Sequence, residues 1–534
     1  MFTLLAAPAA FQRWFGGDTA PYVVTTIAIA ALTCALVLSW PNVPREQPFG
    51  PSAPTPGTSR GSRLPAIVIA AVAFVLLFVT CRVLLDQILT IPLDPYRGDM
   101  LVIVREGVRR ALQGLNPYTT YHVPWPVPLA YGPMLWGPYA LPMLLRVDPR
   151  FLSVVGELFV PVACAASAIA SAARGRVAAA AAALLMLGAI GLNGSLVQFT
   201  SVAHTPVYWP FLALFVWLTA RERWYPAAVL LGLLVVARLT MVAVVPVLLM
   251  TIWQTNRPRF AGACVLVALA VAVPFLPFAI RDSHALAFGL YGSYRSVIKT
   301  IVWPDATVPH TIGVTGVLLT NHLNSFVEAA QAGVMAIVYG AIWILLRRNR
   351  APVALMGMAL LAFSMTALWP VTYFYFDVFL MFAAGILIDM PWLDARSSTS
   401  SLVRRWAAAG AIAVVLVAGF GAMMLRLRVA EPPVVTWRDG PRLATISLVR
   451  RSISPAIVDV RVDAAAVGPQ RMNVALNGLP FGTIELSGSE HVFLALPESY
   501  WQIGANTLEL SPESPVTFHD VIVRPTRSLN TARP

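Results

Sequence analysis

Two periodicities divide the chain. From residue 21 to about residue 426, long apolar runs alternate with short segments rich in arginine, proline or glycine; after Arg428 the runs give way to apolar–polar alternation. The first pattern predicts membrane-crossing helices near 21–40, 64–90, 151–173, 177–192, 206–220, 225–237, 239–253, 260–280, 327–346, 352–369, 371–389 and 406–426, about twelve spans. The second recurs at 457–462, 472–476, 483–486, 492–496, 507–510 and 521–523 and predicts short strands, with Asn477-Gly478 as a hairpin turn between two of them. Short strands at such regular intervals predict a small C-terminal β-sandwich.

Arginines set the expected orientation. The groups Arg45/Arg60/Arg63, Arg174/Arg176, Arg221/Arg223, Arg257/Arg259, Arg347/Arg348/Arg350 and Arg396/Arg404/Arg405 fall on one side only if residues 225–253 form a hairpin of two short helices. Both termini then lie outside the cytoplasm, with loops 91–150, 193–205 and 281–326. Arg238 falls at the hairpin tip. A charge at that depth needs a partner, a ligand or water, so Arg238 is a contact for a lipid phosphate, a structural arginine paired to a carboxylate, or an arginine snorkelling outward. Asp377, a turn or two into the span after the aromatic run Trp369-Pro370-Val371-Thr372-Tyr373, needs a partner too, and Arg238 is a candidate.

The longest segment between spans, 91–150, concentrates carboxylates, arginines, prolines and aromatics. From Asp99 onward, Leu101, Val104, Val108, Ala111 and Leu112 recur at helical spacing and predict an amphipathic helix lying in the headgroup plane, with Arg105, Arg109 and Arg110 largely off its apolar stripe. Asp99 stands where an N-cap is wanted. Gly114, at positive φ, and Pro117 are expected to end the helix.

An acidic residue opening such a helix, followed by Gly114-Leu115-Asn116-Pro117-Tyr118 and by Tyr131-Gly132-Pro133, resembles the first large loop of integral-membrane glycosyltransferases of the C superfamily. The likeness is nearest to the polyprenyl-phosphate-mannose-dependent mannosyltransferases. It extends over residues 65–390 as layout and 99–133 as motif, and departs where the family's usual Tyr-Pro-Pro reads Tyr131-Gly132-Pro133. The resemblance implies Asp99 as catalytic base, with Asp94 as the fallback. It also implies a polyprenyl-phosphate-linked sugar donor, mannose favoured, and an extracytoplasmic glycan or glycolipid acceptor.

Further candidates for substrate and phosphate contact come from the other outer loops. Gln198 and His204 lie in an uncharged, hydrogen-bonding loop suited to a sugar, although a lone histidine is as readily structural. Arg295 and Lys299, a helical turn apart, either hold a phosphate or form a solvated face. Tyr131 and Tyr373 complete the set.

Composition fixes the solvent. With 58% hydrophobic and 12% charged residues and a mean hydropathy of +0.71, most of the chain requires a bilayer. The net charge of +13 is spread between apolar runs, which excludes the basic face that nucleic-acid binding needs. Cys34, Cys81, Cys164 and Cys264 have no metal-ligand spacing, the histidines no zinc spacing, and no glycine-rich phosphate loop follows a strand. No cofactor or structural metal is expected, and a divalent cation at the phosphate is left open. The sequence therefore predicts a polytopic α-helical membrane protein, which the resemblance implies is glycosyltransferase-C-like, with three parts: an N-terminal span and linker (1–63), a transmembrane core (64–428) and an extracytoplasmic β-sandwich (429–534). The pattern of the β-sandwich at Asn477-Gly478 and Gly504-Ala505-Asn506-Thr507-Leu508 resembles jelly-roll domains. Its expected place is the bacterial inner membrane. A flippase or transporter of a lipid-linked sugar, and a non-catalytic polysaccharide-assembly protein, are the rival functions.

Overall fold

The structure is a computed structural model, and it describes residues 64–90, 99–122, 126–174, 176–191, 205–300, 313–321, 323–348, 351–368 and 374–396, with isolated positions between 27 and 37 and strand segments between 437 and 525. The expected spans at 21–40 and 406–426 and the linker 41–63 lie essentially outside the described residues.

The helices follow the apolar runs. In chain order they are α1 (Leu64–Thr90), α2 (Asp99–Leu112), α3 (Pro133–Trp136), α4 (Ala140–Leu144), α5 (Arg150–Ala173), α6 (Val177–Gly191), α7 (Trp209–Ala220) and α8 (Trp224–Ala237). There follow α9 (Val245–Thr255), α10 (Phe260–Ala287), α11 (Ser293–Thr300), α12 (Val314–Thr320), α13 (Val327–Arg347), α14 (Pro352–Met365) and α15 (Phe374–Arg396). Among the described residues four helical stretches are long and apolar enough to cross a membrane, Ile67–Leu85, Arg150–Ala173, Arg257–Ser296 and Asn324–Arg347, and the remaining apolar helices are shorter.

Close approaches at glycine give the directions. A Cβ on Gly262 would stand 3.0 Å from the Tyr225 ring, and one on Gly232 would stand 2.5 Å from Ala270 Cβ. The start of α8 therefore meets the start of α10, and the two run the same way. So α9 must return the chain between them, which is the expected hairpin. Its tip is extended at Arg238 (φ −142°, ψ 109°), followed by a 3-10 turn over Leu239–Val244.

Alternating helices carry the arginine turns to one end of the bundle. Arg259 stacks over Tyr225 with Cζ 5.8 Å from the ring centroid, Arg257 over Trp253 at 4.4 Å, and Arg347 over Trp343 at 5.1 Å. At the opposite end Gly191 meets Thr80, Gly156 meets Pro206, and Gly313 meets Met365. The segment expected as an outer loop from residue 281 instead begins as helix. Asp282 breaks the ladder (φ −162°, ψ 92°) and its Oδ1 accepts the Ala285 amide at 2.8 Å, so it caps a new helical segment that continues α10.

Strands β1 (Thr120–His122) and β2 (Pro126–Pro128) form an antiparallel pair in the loop between α2 and α3. After residue 436, β3 (Trp437–Arg438), β4 (Ala444–Arg450), β5 (Ala456–Ala464), β6 (Gln470–Leu476), β7 (Leu479–Leu486), β8 (Ser489–Ala495), β9 (Gly504–Pro512) and β10 (Val516–Pro525) make two antiparallel sheets, ordered β10-β5-β8 and β3-β4-β9-β6-β7. β6 and β7 join at Asn477-Gly478, whose φ values of 56° and 77° are those of a type I′ turn. Along β6, residues Met472, Val474 and Leu476 are buried while Arg471 and Asn473 are exposed, the alternation of a sheet with one covered face.

Candidate functional site

Asp99 opens α2, and the helix ends at Leu112 as the pattern predicts. Its termination is a Schellman motif: Leu115 N–H donates to Arg110 O at 2.9 Å and Gly114 N–H to Ala111 O at 3.0 Å, with Gly114 at φ 72°. The environment of the helix differs from the expectation. Leu101, Val102, Ile103 and Val104 are all buried, as is Val108, while Leu112 is 50% exposed. A helix on a membrane surface covers one stripe; here the first turn is wrapped by protein on every side and α2 packs on α3 and α4. The apolar face is thus covered by the rest of the chain rather than by headgroups. Off that face, Arg109 Nη2 pairs with Glu106 at 2.7 Å and Arg110 Nε donates to Asn116 O at 3.1 Å, so these cations fix the helix and its exit.

The exit is locked by aromatic hydroxyls. Asn116 Oδ1 accepts the Tyr118 amide at 3.1 Å, an Asx turn. Tyr118 donates its hydroxyl to Tyr131 O at 3.1 Å, and Tyr121 donates to Pro117 O at 2.5 Å. Burial raises the Tyr118 phenol and pushes that of Tyr121 up to about 12, so both stay protonated as donors. The Tyr118 and Trp136 rings stand edge-on to Phe278 of α10, with centroids 5.3 and 5.6 Å away.

Gly132 seats this loop on the bundle. A Cβ there would fall 1.6 Å from Val236 O, two residues before Arg238. A proline at this position, which carries a Cβ, would have no room in this arrangement. Leu129 reaches the other flank, its carbonyl 2.6 Å from where a Gly289 Cβ would be.

Beneath the loop, Arg238 and Asp377 are both buried and face each other, Nε to Oδ2 at 3.8 Å. Asp377 also accepts from Tyr208 Oη at 2.6 Å and Trp209 Nε1 at 3.1 Å, and Arg238 stacks over Phe374 at 4.5 Å. Of the roles open to Arg238, this geometry supplies the carboxylate pair.

Arg295 extends from α11 to Glu328 of α13, with Nε 2.7 Å from Oε1 and Nη2 3.2 Å from Oε2, a bidentate pair that Tyr291 joins at 3.0 Å. Lys299 lies on α11 with its side chain outside the described residues, as is that of Asp99. Asp94, Gln198, His204 and Tyr373 lie wholly outside them. Tyr131 is half-buried, its carbonyl held by Tyr118.

Several groups of this end escaped the sequence reading. Tyr208, Trp209 and Glu328 carry no signal beyond being hydrogen-bonding groups at span ends. Glu157 does carry one: it is an acidic residue inside an apolar run. Among the described residues no three His, Cys, Asp or Glu side chains gather as metal ligands. No family model matches the chain, and none of the curated proteins compared with it matches.

Proposed function

We propose that the protein is a membrane-embedded glycosyltransferase that moves a sugar, mannose favoured, from a polyprenyl-phosphate donor to an extracytoplasmic glycan or glycolipid. One observation carries this reading. The loop opened by Asp99 is seated by Gly132 against Val236, at the end of the bundle where Arg238 and Asp377 lie buried. Polar chemistry in the loop is thereby joined to apolar helices that a lipid-borne substrate can reach.

In this reading Asp99 takes the proton of the acceptor hydroxyl as its oxygen attacks the anomeric carbon, and the sugar–phosphate bond breaks. The leaving group departs as a phosphate monoester, already stable as an anion, so the site has to supply a positioned base and nearby cations. Arg295 and Lys299 are the cations proposed for that phosphate. Arg295 is available for exchange because its side chain is 48% exposed while it rests on Glu328. The Arg238–Asp377 pair holds the floor on which the loop sits.

The same proposal places the loop end of the bundle outside the bacterial plasma membrane and the arginine turns inside, with about twelve spans in all. Jelly-roll topology for the C-terminal module is supported by its strand order: β4-β9-β6-β7 and β10-β5-β8 match the sheets of a jelly roll that lacks its first strand, with β3 as an added edge strand beside β4. A module of this kind outside the membrane is suited to holding a glycan or covering the site.

Purified protein incubated with polyprenyl-phosphate [14C]mannose and a glycan acceptor tests the proposal. Release of polyprenyl phosphate with label in the acceptor supports it, and Asp99→Asn is expected to abolish that release while the protein still inserts and folds. Transport of the intact lipid without cleavage, or binding alone through the sheets, is the outcome for the rival functions. Undiminished turnover in Asp99→Asn removes that residue from the role of base.

A further inference from the structure

Glu157 is the one acidic residue of α5, a helix apolar and long enough to cross a membrane. Its side chain is buried at 2% exposure, and its Oε2 has no hydrogen-bond partner among the described residues. A buried carboxyl oxygen without a partner is costly in apolar surroundings, and where one persists it usually serves a ligand or a function.

Its neighbours on α5 touch the site. Ser153, one turn earlier on α5, is fully buried and shares a hydrogen bond with Tyr139 of the docked loop, the oxygens 2.7 Å apart. Gly156 lies so close to the segment leading into α7 that a Cβ there would stand 2.1 Å from Pro206 O. Tyr208 and Trp209 follow in that segment and hold Asp377, which faces Arg238. The loop therefore meets α5 one turn before Glu157, and the segment whose Tyr208 and Trp209 hold Asp377 meets it at Gly156, the preceding residue.

We infer that Glu157 is a ligand-contacting residue of this site, its free carboxyl oxygen accepting a hydrogen bond from a hydroxyl of the sugar brought in on the lipid. A carboxyl oxygen accepts what a carbohydrate hydroxyl donates, and the adjoining Tyr139–Ser153 pair is itself a hydroxyl-lined neighbourhood. The inference rests on the glycosyl-transfer reading. It adds to that reading a contact to the sugar, distinct from the base and from the phosphate cations.

Glu157→Met in the full chain provides the test, with polyprenyl-phosphate mannose and bare polyprenyl phosphate as the two probes. Without ligand the variant is expected to unfold at the wild-type temperature or above it, because an unpartnered acceptor is replaced by apolar surface of similar size. The additional rise in Tm that the mannosyl lipid gives over the bare lipid is expected to vanish, while the rise from bare lipid persists. KM for the donor is expected to increase about tenfold or more. Should Glu157→Met fail to fold, Glu157→Gln, which keeps the shape and one accepting oxygen, is expected to give an intermediate KM. A sugar-specific rise in Tm that survives in the variant, its absence from wild type, or a donor KM within twofold of wild type in the variant that folds would each overturn the inference. A wild type that binds the mannosyl lipid but never releases polyprenyl phosphate would defeat the glycosyl-transfer reading instead, and the sugar-specific rise in Tm would still decide Glu157.

Discussion

Arg238, at the extended hairpin tip, and Asp377, on α15, are far apart in the chain and meet inside the bundle, Nε 3.8 Å from Oδ2, with Tyr208 and Trp209 closing on the carboxylate. Removing one member leaves the other charged and buried. Arg238→Met is expected to cost about 3–5 kcal/mol of stability. Asp377→Asn in that background should restore part of it, since it removes the stranded charge. A double-mutant cycle measured by unfolding in mixed micelles checks this; strictly additive effects would mean that the two residues are not coupled.

Gly132 is the contact that seats the loop. Gly132→Ala drives a Cβ to within 1.6 Å of Val236 O, so the loop must lift or the hairpin tip must move. The expected cost is about 1–3 kcal/mol or more, together with, under the glycosyl-transfer proposal, a loss of transferase activity. Gly137→Ala is the control, because nothing lies within 4 Å of its would-be Cβ and its φ of −55° suits alanine. Thermal unfolding and donor turnover of both variants make the comparison, and equal behaviour would show that the close approach does not hold the loop.

Asp148 carries a pH signature. Burial acts to raise its carboxyl, but the hydrogen bonds and charge of Arg150, whose Nε lies 3.0 Å from both carboxylate oxygens, bring it below its ordinary value of 3.8. A carboxyl whose folded value is depressed contributes stability that is present above pH 3.8 and is lost as pH falls through the folded value. Wild type should therefore lose stability more steeply than Asp148→Asn on acidification below about pH 4. Tm followed from pH 6 to pH 3 reads the difference, and parallel curves would refute it.

Sidedness is tested at two arginines. Arg109 has a 60% exposed side chain on α2, and Arg221 lies in an exposed turn at the opposite end of the bundle. In a background without the native cysteines, Arg109→Cys should react with a membrane-impermeant maleimide while the plasma membrane is intact. Arg221→Cys should react only after it is opened. The reverse pattern would put the loop in the cytosol, and the glycosyl-transfer proposal would fall with it.

What the sequence determined by itself is what short-range physics controls. The periodicity of apolar residues located the long apolar helices and both bounds of α2, but not the short helices α3, α4, α11 and α12. Positive φ at Gly114 and the type I′ turn at Asn477-Gly478 followed from side chains that tolerate that conformation, and alternation located strands β5 to β10. Even the need of Asp377 for a partner was legible, because a carboxylate in an apolar helix is costly alone.

Only the tertiary structure decided what covers each face. An amphipathic stripe says that apolar surface is to be buried but not by what, and for α2 the answer is the protein's own bundle. The seating of Gly132 on Val236, the Tyr208 and Trp209 bonds to Asp377, the Glu328 grip on Arg295 and the unpartnered oxygen of Glu157 all depend on the meeting of segments remote in sequence. Backbone propensity and period act over a few residues, whereas the choice of partner is set by packing many helices at once; no local pattern encodes it.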